Sequence, residues 1–386
     1  MKKRLALFAA ILALVCTAAV RAEGLSGAYL SDYDEALRII DEYDPFISII
    51  RNAVPDYDLL CEACREQVRA RCRSAGDLRN MLAELFARLG NPGHLSMIDA
   101  EGFREYSFVA EQGVYGEDTP EYRLIHDAKT RAAYAAMAPA ALDEAGWTNR
   151  YTPYVDWDPG RGLLYIRLPS FRHEMMARDQ NVLTEAFRAH PDAKHIAFDI
   201  CGNGGGSDYY WADLLVAPFG ETVSYEKTVY FRENELTRDY GYLESAAPVS
   251  SLDDKEVPDF VGELGMTHAR TEAITIERAG EDRAIHTDAK RWVLTDEYVY
   301  SAADGFAGFC KQTGWATLIG RRTRGDGGSA APCLIRLPET GLLMRFTVTA
   351  DANSEGKLNT LYGTIPDIPS KPSETPCDTL LRVIDG

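Results

Sequence analysis

The chain has 386 residues, 46% of them hydrophobic, and carries 41 Lys and Arg against 59 Asp and Glu, a formal net charge of −18 at neutral pH. An acidic surface of this strength repels phosphate backbones, and no Lys/Arg run or basic-aromatic stripe offsets it, which excludes nucleic acid as a partner class. The apolar fraction suffices for a substantial core and, at this length, for two domains.

Residues 1–22 read as an export signal. Lys2, Lys3 and Arg4 form the positive end, Leu5 to Val20 the apolar run, and Val20-Arg21-Ala22 a small-residue cleavage site. The run is short and wrongly flanked for a membrane span, although an uncleaved anchor is the alternative. Val15 before Cys16 disfavours lipoprotein processing. The expectation is a secreted or extracytoplasmic protein beginning near Glu23, with no stable membrane span after signal cleavage. Seven cysteines remain, an odd count that leaves at least one thiol without a partner in the chain. Cys61 and Cys64, with Cys72 two turns on, make a partial metal pattern that lacks a fourth ligand, so neither a metal nor a cofactor is expected and buried structural thiols are the preferred reading.

From Leu30 to Leu89 the pattern is helical. Leu78, Met81, Leu82, Leu85 and Phe86 recur at i, i+3, i+4, i+7 and i+8, and Pro55 breaks the run earlier. This predicts an N-terminal helical domain over residues 23–92, closed by the Gly90-Asn91-Pro92-Gly93 turn. His94 follows at once and opens the predicted core domain, residues 93–386. By itself a histidine in such a place is more often an ordinary loop histidine than a catalyst. An Ala-rich helix is expected near Lys129 to Ala145.

After Asp158-Pro159-Gly160 come the strand GLLYIRLPSF, a helix near Gln180 to Ala189, and the strand HIAFDI. That alternation predicts parallel strands. The second strand ends in Cys201-Gly202-Asn203-Gly204-Gly205-Gly206-Ser207. Glycines between a strand and a helix bring backbone N–H groups close to a ligand without a Cβ in the way. The turn suits an oxyanion hole, a nucleotide phosphate with Glu221 as the ribose acid, or tight packing. An exported protein seldom meets dinucleotides, which favours the first.

Residues 221–276 read as an irregular acidic and aromatic insertion, a binding wall or lid. Thr295 to Gly328 then runs TDEYVYSAADGFAGFCKQTGWATLIGRRTRGDGG. A polar turn and an aromatic, β-prone run place Ser301 at a strand end, and Phe306, Phe309 and Cys310 at helical spacing follow. Ser301 is therefore either an N-cap or a nucleophile on a sharp strand-to-helix turn. Strands CLIRLP and GLLMRFTVTA come next, and TIPDIPS closes the domain before a C-terminal helix.

YIRLPSF, HIAFDICGNGGGS, VYSAADGFAGF with GWATLIGRRTRGDG, and YGTIPDI, in that order, resemble the successive motifs of the C-terminal-processing (tail-specific) and tricorn-core serine peptidases. The resemblance spans roughly Leu163 to Ile368, and the helical region ending in Gly-His is similar to the leading segment of bacterial members without a PDZ domain. It implies an α/β fold with a crotonase/ClpP-like β-β-α core and an N-terminal helical domain. It implies Ser301 as nucleophile and an oxyanion hole from the N–H of Ala302 with one from the Gly205/Gly206 turn. Peptides or proteins are the implied substrates.

Two departures stand against that pattern. The lysine that tail-specific proteases place in the turn is replaced by Asp326, a poor base at ordinary carboxylate acidity, so that Asp326→Ala is expected to change little. Lys311 lies ten residues beyond Ser301 on one helix, too far for a direct hydrogen bond. In the tricorn-like branch the base is a histidine supported by a glutamate before the GxxPD turn. Here His94 takes the histidine position, with His173 ranked second, while Asn359, Thr360 and Leu361 stand where the glutamate is expected and Glu355 is the nearest carboxylate. The expected function is an exported serine peptidase using Ser301 and His94; the alternative is a non-hydrolytic peptide- or ligand-binding protein with a degenerate site.

Overall fold

The computed structural model describes residues 27–137, 151–253 and 257–386. The export signal and the second half of the expected Ala-rich helix lie outside them; the first half forms the helix Ala128–Met137. The chain builds two compact units, one made of residues up to 139 with Pro332–Phe346, the other of 140–331 with 347–386. The first unit thus runs past the Gly90–Gly93 turn that ends the helical stretch in the sequence, and it takes in a hairpin from late in the chain. Among the described residues the seven cysteines form no disulfide, and no helix is long and apolar enough to cross a membrane.

In the first unit, residues 27–43 and the helices Ile47–Ala53, Tyr57–Arg71 and Ala75–Arg88 bury the stripe read from the sequence, with Leu78, Leu82, Leu85 and Phe86 essentially inaccessible. Ser74 caps the last of these by accepting from the Asp77 N–H at 3.1 Å. The hairpin Cys333–Arg336 and Leu343–Phe346 pairs with the short strand Ser96–Met97. Its turn is tied to the 27–43 segment by buried Asp32, which accepts from the N–H groups of Glu339 and Thr340 and from the Thr340 hydroxyl. This contact bridges some 300 residues of chain, which is why composition and periodicity place the hairpin with the core instead.

The second unit is an α/β domain. Its six-stranded sheet runs in the order 368–369, 317–320, 290–295, 195–199, 163–167, 154–158. All neighbours are parallel except the edge strand Tyr154–Asp158. The helices Met176–Ala189 and Ala302–Thr313 connect parallel neighbours, and both bury aromatic and aliphatic side chains. Phe198 from the sheet meets Phe306 and Trp315 in one aromatic cluster with Phe219. Burial on both faces of the central strands accounts for the apolar runs LLYI and IAF.

The 221–276 region is not irregular. Val223–Phe231 and His268–Ile276 are two nine-residue antiparallel strands in full register, extended by Thr349–Asp351 and by Ala247–Pro248. Alternation in VSYEKTVYF, with a half-exposed face, is the period-2 signal that the charged and turn-forming stretch between the two strands masks.

Candidate active site

The strand leading to Ser301 ends earlier than the β-prone run suggests. It covers Lys290–Thr295, and Asp296 then stops the pairing: its Oδ1 accepts from the N–H of Tyr298 and from that of Gly202, each at 3.0 Å. The chain crosses to two other loops. Tyr300 N–H donates to Asn203 O at 3.1 Å and Ser301 N–H to Gly325 O at 3.0 Å. Ser301 sits at φ 56°, ψ −133°, a conformation costing a non-glycine residue on the order of 1–3 kcal/mol. The helix Ala302–Thr313 begins at the next residue, and the Ser301 side chain makes no cap hydrogen bond to it. Ser301 thus occupies the N-cap position without a side-chain cap bond, strained on a sharp strand-to-helix turn.

The glycine turn abuts this serine. Asn203 is fully buried; its Nδ2 donates to Leu168 O at 3.0 Å and its Oδ1 accepts from Gly205 N–H at 2.8 Å. Gly205, at φ 96°, lies so close that a Cβ there would stand 2.7 Å from Ser301 Cβ and 2.9 Å from Ala302 N. Gly206, at φ 142°, leaves no room for a Cβ against the Phe171 carbonyl, and the turn is stitched to that strand end by Phe171 N–H to Gly205 O and Ser207 N–H to Phe171 O. Among the described residues the N–H groups of Ala302 and Gly206 donate no hydrogen bond, whereas that of Gly205 is taken by Asn203. Donors at a helix start, next to a serine, are placed to meet an anion.

Asp326, expected to be an inert substitute for lysine, is 4% exposed and itself at φ 62°. Its Oδ2 accepts from the Tyr300 hydroxyl at 2.6 Å. Its Oδ1 is buried and faces the buried hydroxyl of Thr360. Burial pushes its carboxyl up to about 6, with the hydroxyls of Thr360 and Tyr300 opposing the rise and the Asp304 charge adding to it. Asp304, in the first turn of the helix, accepts from Thr323 Oγ1 at 2.5 Å and from Gly327 N–H at 3.0 Å. Asp351 completes a group of three buried carboxyls; burial raises it to about 8 against the pull of Lys227, whose Nζ donates to Ser329 O at 2.9 Å.

The remaining residues singled out by the sequence are dispersed. His94 lies in the first unit, buried, at φ 64° in the 3-10 turn Pro92–His94, and its carbonyl accepts from Ser96 Oγ at 2.9 Å. His173 is not on a solvated loop: its Nδ1 is 3.3 Å from Ser207 Oγ at the end of the glycine turn, and its ring meets that of Tyr209 edge to face. Lys311 is paired with Asp367 at 2.5 Å. Glu355 is an exposed partner of Lys357. Asn359, where the family's glutamate is expected, is buried and accepts from Gly327 N–H through Oδ1 at 3.2 Å. Sequence reasoning missed Asn203, Tyr300 and Asp304; an Asn inside a glycine turn and an Asp in a helix first turn carried part of that signal.

The profile of peptidase family S41 matches residues 162–370, which contain the serine turn, the glycine turn and the three buried carboxyls. The solved structures that share the architecture include the following two. One is a protein from Parabacteroides merdae ATCC 43184, described as a candidate peptidase, at 17% identity over 92% of this chain and 97% of that one, with a TM-score of 0.52. The other is mature CPAF, at 12% identity over 93% and 96% of the two chains, with a TM-score of 0.53. At these identities the likeness speaks to the fold. No curated protein matches the chain.

Proposed function

The chain belongs to peptidase family S41, and from that premise we propose that it is an exported serine peptidase with Ser301 as its nucleophile. One observation carries the reading. Ser301 is held at φ 56° on a strand-to-helix turn, does not cap its helix, and stands against Gly205 beside the uncommitted N–H of Ala302. In the proposed reaction Ser301 Oγ attacks the scissile carbonyl carbon as its proton passes to a general base. The oxyanion forms where the N–H groups of Ala302 and Gly206 can donate to it, collapse expels the amine, and water releases the acyl group. Gly205 contributes as the residue whose lack of a side chain opens the approach. His94 is proposed as the general base on the sequence resemblance alone.

The second reading, a binding protein with a degenerate site, is favoured by Asp326 and Asn359 standing where a lysine or a glutamate would assist catalysis. Labelling of the protein, freed of residues 1–22, with a fluorophosphonate probe separates the two. A phosphonyl adduct on Ser301, absent in Ser301→Ala at unchanged melting temperature, supports the peptidase; no adduct across a set of probes supports the binding protein. Export is tested separately, by the intact mass of the protein recovered from its native host's envelope or medium: the expected N-terminus is near Glu23, and a full-length cytoplasmic product would overturn it.

A further inference from the structure

The strain at Ser301 has to be held by something, because a serine released from φ 56° would relax toward an ordinary helix-start conformation and turn its hydroxyl away. Backbone bonds hold its two sides: Tyr300 N–H to Asn203 O, Ser301 N–H to Gly325 O, and Arg324 N–H to Val299 O at 2.8 Å. One side-chain bond joins the same two segments, from the Tyr300 hydroxyl to Asp326 Oδ2 at 2.6 Å. It links the residue before the strained serine to the residue after Gly325, and Asp326 is itself at a positive φ. The Arg324 guanidinium lies over the Tyr300 ring at 4.8 Å.

A core position could be filled more cheaply by an apolar side chain. Asp326 instead buries a carboxyl faced by Tyr300 from the serine turn, Asp304 from the helix, Arg324 from its own loop and Thr360 from the helix Asn359–Tyr362, with the Asp351 carboxyl acting on the same group from the strand Thr349–Asp351. Two carboxyls in that list repel it. Such a group is destabilising where it stands unless the bond it makes serves the neighbouring turn.

We propose that Tyr300 and Asp326 are positioning residues for Ser301: their hydrogen bond braces the serine turn against the 324–327 loop and keeps the Ser301 hydroxyl in its attacking orientation. The proposal rests on the reading of Ser301 as the nucleophile. Neither side chain enters the chemical step.

The test is the rate of Ser301 phosphonylation by a fluorophosphonate probe, resolved into the probe's dissociation constant and the maximal inactivation rate, in Tyr300→Phe, Asp326→Ala and Asp326→Asn. Tyr300→Phe keeps the ring under Arg324 and is the variant most secure in folding; melting curves confirm which variants are folded. The expected result is a maximal rate lowered by about tenfold or more in Tyr300→Phe and Asp326→Ala, with the dissociation constant within about twofold of wild type. Asp326→Asn, whose carbonyl oxygen still accepts from Tyr300, retains at least about a third of the wild-type rate. A purely structural pair would lower the melting temperature and leave the rate of the folded protein unchanged. That outcome in Tyr300→Phe overturns the proposal, as does an Asp326→Asn rate as low as that of Asp326→Ala. A wild type that no probe labels overturns the nucleophile reading instead, and the brace loses its object with it.

Discussion

A serine hydroxyl is a weak nucleophile until a base takes its proton, and the second unit offers no lysine for the task where the tail-specific pattern would put one: position 326 holds a buried aspartate and Lys311 is spent on Asp367. The two histidine candidates differ in what argues for them. His94 has the resemblance and a positive-φ backbone in a buried turn, which no sequence pattern announces. His173 has a position beside Ser207 that the sequence, read as a solvated FRHE loop, concealed. Kinetics decides between them. If His94 is the base, His94→Ala loses about two to four powers of ten in kcat/KM on a peptide substrate and His173→Ala much less. The reverse ranking would assign the proton transfer to His173, and near-full activity in both variants would point to a base that neither reading names.

At the level of the element, the loops around Ser301 are closely packed, and Gly205 shows how. Adding one methyl group there meets Ser301 Cβ, Tyr300 O and Ala302 N within 2.9 Å, all of them on the segment that carries the strained serine. The backbone at φ 96° adds a penalty of about 1–3 kcal/mol for any L side chain. Gly205→Ala is therefore expected to abolish labelling of Ser301 and to lower the melting temperature, whereas Gly204→Ala, with no atom within 4 Å of the added carbon, lowers it far less. Equal effects of the two substitutions, measured by thermal melting, would contradict the close approach. This turn was legible in the sequence because a Gly cluster between a strand and a helix has few uses. The parallel strands and the helix after Ser301 were legible for a similar reason, their period and length leaving little choice. The long antiparallel pair at 223–276 is not, since exposed charged residues on one face imitate a loop, and the packing of the hairpin 332–346 is hidden because its partners lie at the opposite end of the chain. The burial of Asp326 is not legible in the sequence for a different cause: it comes from packing against Tyr300, Asp304 and Thr360, three contacts that sequence spacing does not encode.

Over the whole molecule, net charge and buried carboxyls act in the same direction. Burial raises Asp326 to about 6 and Asp351 to about 8 from an ordinary 3.8, so across that interval the folded protein keeps protons that the unfolded chain has released. The unfolded state then binds fewer protons than the native one, and stability falls as pH rises. The contribution is fully present below about pH 4, is lost through pH 6 for Asp326 and through pH 8 for Asp351, and does not recover above that. A formal charge of −18 at neutral pH adds self-repulsion as the remaining acids ionise. Lys227 opposes the trend at Asp351 but is bonded to the Ser329 carbonyl and neutralises it only in part. The expected outcome is a melting temperature that declines by several degrees from pH 5 to pH 8, followed through tryptophan fluorescence, which Trp157, Trp211, Trp292 and Trp315 report from the second unit. Asp351→Asn, neutral at every pH, should flatten the decline between pH 6 and pH 8, where Asp351 alone carries it, and reduce the slope below pH 6 to the share that Asp326 carries. A variant whose melting temperature falls as steeply as that of wild type above pH 6 would show that Asp351 is already ionised there, and that Lys227 balances its burial.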